Sequence, residues 1–132
     1  MIDNYGLIES PQKYNVFLRA CCEELNTTVS LITKKTKKRE IARKRQVIQY
    51  ILHRIAGIGQ ADVGKITGGF DHATVLHACR TISNDLEKKY HDVTTAFEIV
   101  SSLFYKIVED PYYDIIAEFE KCTTVFNPIK HD

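Results

Sequence analysis

Between residues 11 and 25, Tyr14, Phe17, Leu18, Cys21, Cys22 and Leu25 recur at intervals of three and four. That spacing puts all six on one stripe of an α-helix, and Ser10-Pro11 supplies its start, because proline suits the first helical position. The helix is expected to end near Asn26. Thr27 or Thr28 is placed to cap a short turn through "TVSLIT", after which the apolar pattern lapses in the charged stretch "KKTKKRE". From Glu40 the period returns. Ile41, Val47, Ile48, Ile51, Leu52 and Ile55 fall on one face, while Arg43, Lys44, Arg45, Gln46 and Gln49 cluster at the start or on the opposite face. "AGIGQ" breaks this helix, "ADVGKI" suggests a short one, and Gly68-Gly69 ends it by permitting positive φ. Asp71 is placed to cap the next helix, whose buried stripe is Val75, Leu76, Cys79, Ile82 and Leu86, running to about Lys89. Another follows Asp92, with Val93, Ala96, Phe97, Val100, Leu103, Phe104 and Ile107. Pro111 separates it from a last amphipathic piece with Tyr112, Ile115, Ile116, Phe119 and Cys122.

No segment alternates with period two, so the expected fold class is all-α. The chain of 132 residues suits one hydrophobic core. The expected organisation is an N-terminal lead over 1–10, one helical domain over 11–108, and a C-terminal helical extension and tail over 109–132. Apolar residues make up 44% and charged residues 27%, the proportions of an ordinary globular protein. Cys21 and Cys22 are adjacent and Cys79 and Cys122 lie far away, so the four cysteines make no disulfide framework and fit buried thiols in a reducing compartment. The opening "MIDNYGLIESPQK" lacks a basic start followed by an apolar run, and no apolar stretch approaches membrane-spanning length. A cytoplasmic protein with no membrane partner is the expectation.

Charge changes this picture. The formal net charge is only +1, yet Lys34 to Arg54 holds nine basic residues against the single acid Glu40. That segment carries +8 and the remainder −7. Phosphate contacts depend on the local patch rather than on the sum, so the run points to a polyanionic partner, whereas scattered charges would mean only a solvated face.

Catalytic and metal chemistry find little support. His72 and His77 are five apart, about 140° round a helix, too far to share a metal ion. Cys79 lies on the apolar stripe, where core packing explains it better than nucleophilic attack. The glycines of "GIGQADVG" follow a helix rather than a strand and lack the phosphate-loop lysine, so no nucleotide is expected. Glu109, Asp110 and Asp114 beside Pro111 are explained by a solvated turn. The expectation is a protein that is not an enzyme and uses no cofactor or metal.

Two helices joined across "ITGGF", the second opened by a capping acid, describe a helix-turn-helix, which inserts the start of its second helix into the DNA major groove. Asp71, His72, Ala73 and Thr74 occupy that start, with His77 one turn later. His72 suits a guanine or a phosphate, and Ala73 and Thr74 suit a thymine methyl. Arg43 to Arg45 offers minor-groove and phosphate contacts. Asp71 acts as a cap whatever else it does.

The stretches "IARKRQVIQYILHRIAG" and "DVGKITGGFDHATVLHACRTI" resemble the C-terminal DNA-binding domain of the bacterial replication initiator DnaA, with its G-G-R-D-H-[TS]-T-V-x-H-A run. The similarity extends from about Val16 to Leu103. It implies a six-helix domain that recognises a duplex box of the TTATNCACA type. By the same resemblance Arg43 maps onto a minor-groove arginine, Arg45 and Gln46 onto residues of a helix that touches backbone and major groove, and Asp71, His72, Ala73 and Thr74 onto the base-reading quartet. Lys44 lies inside the basic stretch, and Lys65 where a phosphate contact is expected.

Several positions depart from that pattern. Phe70 stands in place of an arginine, Ala73 of a base-reading threonine, Gln60 and Ala61 of leucine and proline, Lys44 of a proline, and Thr67 of a core phenylalanine. The initiator's ATPase module has no counterpart here, so the expected role is binding alone, as a replication or transcription regulator or accessory factor on double-stranded DNA. Such forms suit phages and mobile elements. The competing expectation is a phage or mobile-element structural component that keeps the fold without reading sequence. From Asp92 onward eight acids face three lysines, with aromatic Tyr112, Tyr113, Phe119 and Phe126, which suits a protein partner.

Overall fold

Within the described residues, the expected apolar stripes become helices packed on one core. The computed structural model describes residues 11–110, and among these there are six α-helices and no strand. Helix α1 (Pro11–Glu24) buries Tyr14, Val16, Phe17, Leu18, Cys21 and Cys22. It ends where Asn26 adopts φ 58° and the Thr27 amide donates to the Cys22 carbonyl at 2.8 Å. That six-residue closure satisfies carbonyls the last turn leaves open. Thr28 then accepts a hydrogen bond from the Leu31 amide and caps the single turn α2 (Val29–Ile32), which drives Ile32 into the core.

Helix α3 (Arg39–Tyr50) continues through a π-helical turn over Ile51–Ile55. Val47, Ile48, Ile51 and Leu52 are buried, but Ile55, expected on the same stripe, is 40% exposed. The wider π turn advances the chain by less than 100° per residue, so the helical period slips there and Ile55 leaves the core face. Gln49 is the opposite correction. Its spacing puts it with the polar face, yet it is wholly buried, its amide donating to the Thr67 hydroxyl at 2.9 Å.

Helices α4 (Gln60–Ile66) and α5 (His72–Glu87) follow, then α6 (His91–Leu103), which runs on through a second π-helical turn over Phe104–Glu109. Helix α5 packs across α3 and α4, and α6 packs on α3 and α1. The end of α6 closes the core against α1, where Phe17 and Phe104 meet edge to face with ring centres 6.1 Å apart. Thr67 is fully buried and donates its hydroxyl to the Val63 carbonyl at 2.9 Å, so the polar residue standing in an apolar position is satisfied locally.

The described cysteines, Cys21, Cys22 and Cys79, are free and buried. Burial, with Cys21 adjacent to Cys22, holds the Cys21 thiol well above its usual range. Burial also lifts Cys22 to about 11, against the nearby charge of Arg19 and with that of Glu23. At neutral pH both are thiols inside the core, with the chemistry of small apolar side chains. Cys122, the last amphipathic piece and the lead over 1–10 lie outside the described residues. Among the described residues no helix is long and apolar enough to cross a membrane.

The tightest approach in the fold lies between α4 and the residue before α5. A Cβ on Gly64 would overlap the Phe70 carbonyl, and the Gly69 and Phe70 amides both donate to the Gly64 carbonyl, at 2.8 and 3.0 Å. Because the obstacle is backbone, the turn cannot yield without losing those bonds. Gly64→Ala is expected to cost about 3 kcal/mol or more, read as a fall in the urea midpoint with an unchanged slope.

Candidate nucleic-acid interface

Helices α4 and α5 are joined by a turn whose shape the local sequence dictates. Gly68 and Gly69 take φ of 122° and 88°, conformations strained for any residue with a side chain, and these reverse the chain between the helices. Asp71 then caps α5, its carboxylate accepting from the Thr74 amide at 2.8 Å. Hydrogen bonding from Thr74 holds the Asp71 carboxyl below its usual range, slight burial opposes this, and the nearby charges of His72 and Lys35 add to the lowering.

Val75, Ala78, Cys79 and Ile82 anchor α5 to the core, which turns the other face of its first two turns to solvent. His72, Ala73, Thr74 and His77 are all exposed, as is Arg80 one turn further. This set has the form of a reading surface: short polar or methyl-bearing side chains at the positive end of a helix, with nothing above them among the described residues.

The basic run divides into two groups with different surroundings. Lys34, Lys35, Lys37 and Lys38 form an exposed loop before α3, and Arg39 opens the helix. The loop sits beside the turn, for Gly68 packs so closely on Thr33 that a Cβ there would strike its backbone and side chain. Lys35 reaches over the Phe70 ring, with Nζ 5.6 Å from the centroid. The loop lysines and the start of α5 therefore share one surface. No pattern in the sequence joins residues 33–38 to 68–70; only the fold does.

Arg45 makes that juxtaposition. Expected on the polar face as a DNA contact, it is only 6% exposed. Its guanidinium donates to the carbonyls of Ile32 at 3.0 Å, Lys34 at 3.1 Å and Thr36 at 3.3 Å, and its carbon lies 4.4 Å from the centre of the Phe70 ring. Those carbonyls belong to the end of α2 and the loop after it, which have no ladder of their own. Burial pulls the Arg45 pKa down from its ordinary value, but three acceptors and an aromatic face are the surroundings a charged guanidinium requires.

Arg43 points elsewhere. It pairs with Asp85 near the end of α5 at 3.0 Å and with Asp92 at the start of α6 at 3.1 Å, tying three helices together. Burial pushes the Asp92 carboxyl up, but the hydrogen bond and charge of Arg43, with the Val93 amide, outweigh it and leave it below the usual range. Lys44 approaches Glu40 one turn earlier at 3.7 Å and is mostly buried along its length. Arg43 and Lys44 border a cleft of about 370 Å³ floored by Leu25, Val47 and Ile99. Gln46 is half-buried on α3, and Lys65 is exposed in the last turn of α4, close in sequence to the reversal. The structure thus gathers Asp71, His72, Ala73, Thr74 and His77 with the loop lysines, and gives Arg43 and Arg45 to internal partners. The acidic, aromatic segment expected to serve a protein partner lies outside the described residues beyond Asp110.

Two outcomes follow for stability. Arg45→Ala takes the guanidinium from the Ile32 and Thr36 carbonyls and leaves that of Lys34 only the Thr36 amide, and it is expected to cost about 3 kcal/mol, whereas His72→Ala, fully at the surface, should leave the melting temperature unchanged; thermal denaturation followed by circular dichroism compares them. The Asp92 carboxyl is depressed in the folded chain, so its contribution is present above the ordinary carboxylate range and is lost as pH falls through the depressed value. Because Asp92 is largely exposed the effect is screened. Asp92→Asn should show a shallower loss of stability on acidification than the unsubstituted chain, measured by urea titration from pH 6 to pH 3.

Comparison with known proteins agrees with this geometry. The model of the bacterial DnaA protein helix-turn-helix matches residues 16–82, half of the chain. Chromosomal replication initiator protein DnaA of Bacteroides thetaiotaomicron is 37% identical over 70 residues, which are 53% of this chain and 15% of the relative. DnaA of Lachnoclostridium phytofermentans is 31% identical over 74 residues, 56% of this chain and 16% of the relative. The same protein of Thermodesulfovibrio yellowstonii is 31% identical over 78 residues, 59% and 18%. The chain thus spans under a fifth of the length of these relatives, and the matched part contains α4, the glycine turn and most of α5. The chain belongs to the bacterial DnaA helix-turn-helix family, whose fold is a DNA-binding domain.

Proposed function

We propose that this chain reads double-stranded DNA at sites of the DnaA-box type, through the first two turns of α5, and serves replication or transcription as a regulator or accessory factor. The observation that carries the reading is the exposed start of α5, where Asp71 is fixed as cap while His72, Ala73, Thr74 and His77 stand free of the core beside a lysine loop. His72 and Thr74 supply hydrogen bonds to base edges, and Ala73 supplies a methyl-sized contact where a hydroxyl would add a further bond. Lys34, Lys37, Lys38 and Lys65 supply phosphate contacts that hold the helix in register but carry no sequence information. Arg43 reaches a minor groove only after leaving its two carboxylates, while Lys44 and Gln46 lie close to it on α3. Arg45 acts indirectly, by shaping the loop. The buried cysteines, with thiols held above their ordinary range, favour binding over nucleophilic chemistry.

Fluorescence anisotropy with a TTATNCACA duplex and a scrambled duplex, over a series of salt concentrations, tests the proposal. The expected result is a preference of about tenfold or more for the box, about 1.4 kcal/mol, with affinity falling steeply as salt rises. His72→Ala should erase about 1–3 kcal/mol of that preference and leave binding to the scrambled duplex nearly unchanged. Equal affinity for both duplexes would sink the sequence-reading proposal.

A further inference from the structure

We infer that Lys35 contacts a DNA phosphate beside the reading end of α5, and that Phe70 is the residue that positions it there; the inference rests on the DNA reading proposed above. Three features lead to it. The Lys35 ammonium lies over the Phe70 ring at 5.6 Å, so a side chain on an open loop is given a preferred place by the attraction of a cation for an aromatic face. Phe70 immediately precedes Asp71, so that place lies beside the cap of α5. The loop itself is not free to carry Lys35 away, because Arg45 holds the Ile32, Lys34 and Thr36 carbonyls and Gly68 is seated on Thr33.

Charge at this corner requires such a residue. Asp71 must remain ionised to cap α5, which puts a negative group at the point where the helix would meet a polyanion. Phe70, next to it, brings no charge to offset it. A lysine seated on Phe70 offsets the Asp71 carboxylate and presents a point charge to the phosphate flanking the first base read. Phe70 is half-buried, with the Arg45 guanidinium 4.4 Å from its centre, so the ring is fixed before any ligand arrives. The cation is therefore oriented in the free protein rather than ordered on binding, which lowers the entropy lost in the complex.

The experiment is the salt dependence of affinity for the box duplex, measured for the unsubstituted chain, Lys35→Ala, Phe70→Leu, Phe70→Tyr and the Lys35→Ala/Phe70→Leu pair. Losing one phosphate contact lowers the slope of log affinity against log salt by about 0.9, a readout that a loss of stability alone does not move. Lys35→Ala is expected to lower the slope by that amount and Phe70→Leu by part of it. Phe70→Tyr, which keeps the ring, should retain the full slope, and the pair should be no worse than Lys35→Ala alone. An unchanged slope in Lys35→Ala overturns the phosphate contact. An unchanged slope in Phe70→Leu, or additive losses in the pair, overturns positioning by the ring. Absence of salt-dependent DNA binding by the unsubstituted chain overturns the underlying reading as well, so the two failures are distinguishable. Lys35 is an exposed loop side chain, so its variant folds and keeps the test open if Phe70→Leu does not.

Discussion

A guanidinium withdrawn from water must find acceptors, and peptide carbonyls in a loop without regular structure must find donors. In this protein the two needs meet at Arg45, whose nitrogens take the carbonyls of Ile32, Lys34 and Thr36. The pairing fixes the path of residues 32–36 over α3. The same guanidinium lies against Phe70, so the turn before α5 and the loop before α3 are held by one side chain from opposite directions. An arginine suits this position as a lysine would not, because a planar fork reaches several carbonyls and still presents a flat face to a ring.

Most of the fold was legible because helices record their packing as periodicity. The stripes on α1, α5 and α6 and the cap at Asp71 all follow from spacing and local chemistry. Failures came where geometry departed from the ideal helix or where a contact was distant in sequence. Ile55 leaves its stripe because a π turn alters the period, which residue spacing does not reveal. Arg45 and Gln49 read as solvent-facing because their side chains are polar, yet both are buried against partners 9 to 18 residues away. Lys35 was visible only as one charge in a run, since its neighbour Phe70 is brought to it by the tertiary fold.

The candidate site shows the same division. Asp71, His72, Ala73, Thr74 and His77 were identifiable because a capped helix start after a glycine reversal is a local arrangement, and the resemblance to the initiator domain strengthened it. The basic residues were harder to sort, because charge along a chain does not say which cations face a ligand and which neutralise carboxylates inside the protein. Arg43 and Arg45 are two residues apart on one helix, so they project to nearly opposite sides. One joins Asp85 and Asp92, the other joins carbonyls and a ring, and neither environment is written in the run "RKR".

The pair formed by Gln49 and Thr67 bears on how this sequence drifts. The Thr67 hydroxyl accepts from the Gln49 amide and donates to the Val63 carbonyl, using both its proton and a lone pair, while both residues are wholly buried. An apolar side chain at 67 alone would strand the amide of Gln49, at a cost of about 1–3 kcal/mol, and would also have to fit the closed space beside it. An apolar side chain at 49 alone would leave the Thr67 hydroxyl still donating to the Val63 carbonyl. The coupling therefore runs one way: hydrocarbon at 67 needs hydrocarbon at 49 first, whereas hydrocarbon at 49 removes a buried amide whose oxygen has no partner and leaves the Thr67 hydroxyl bonded to Val63.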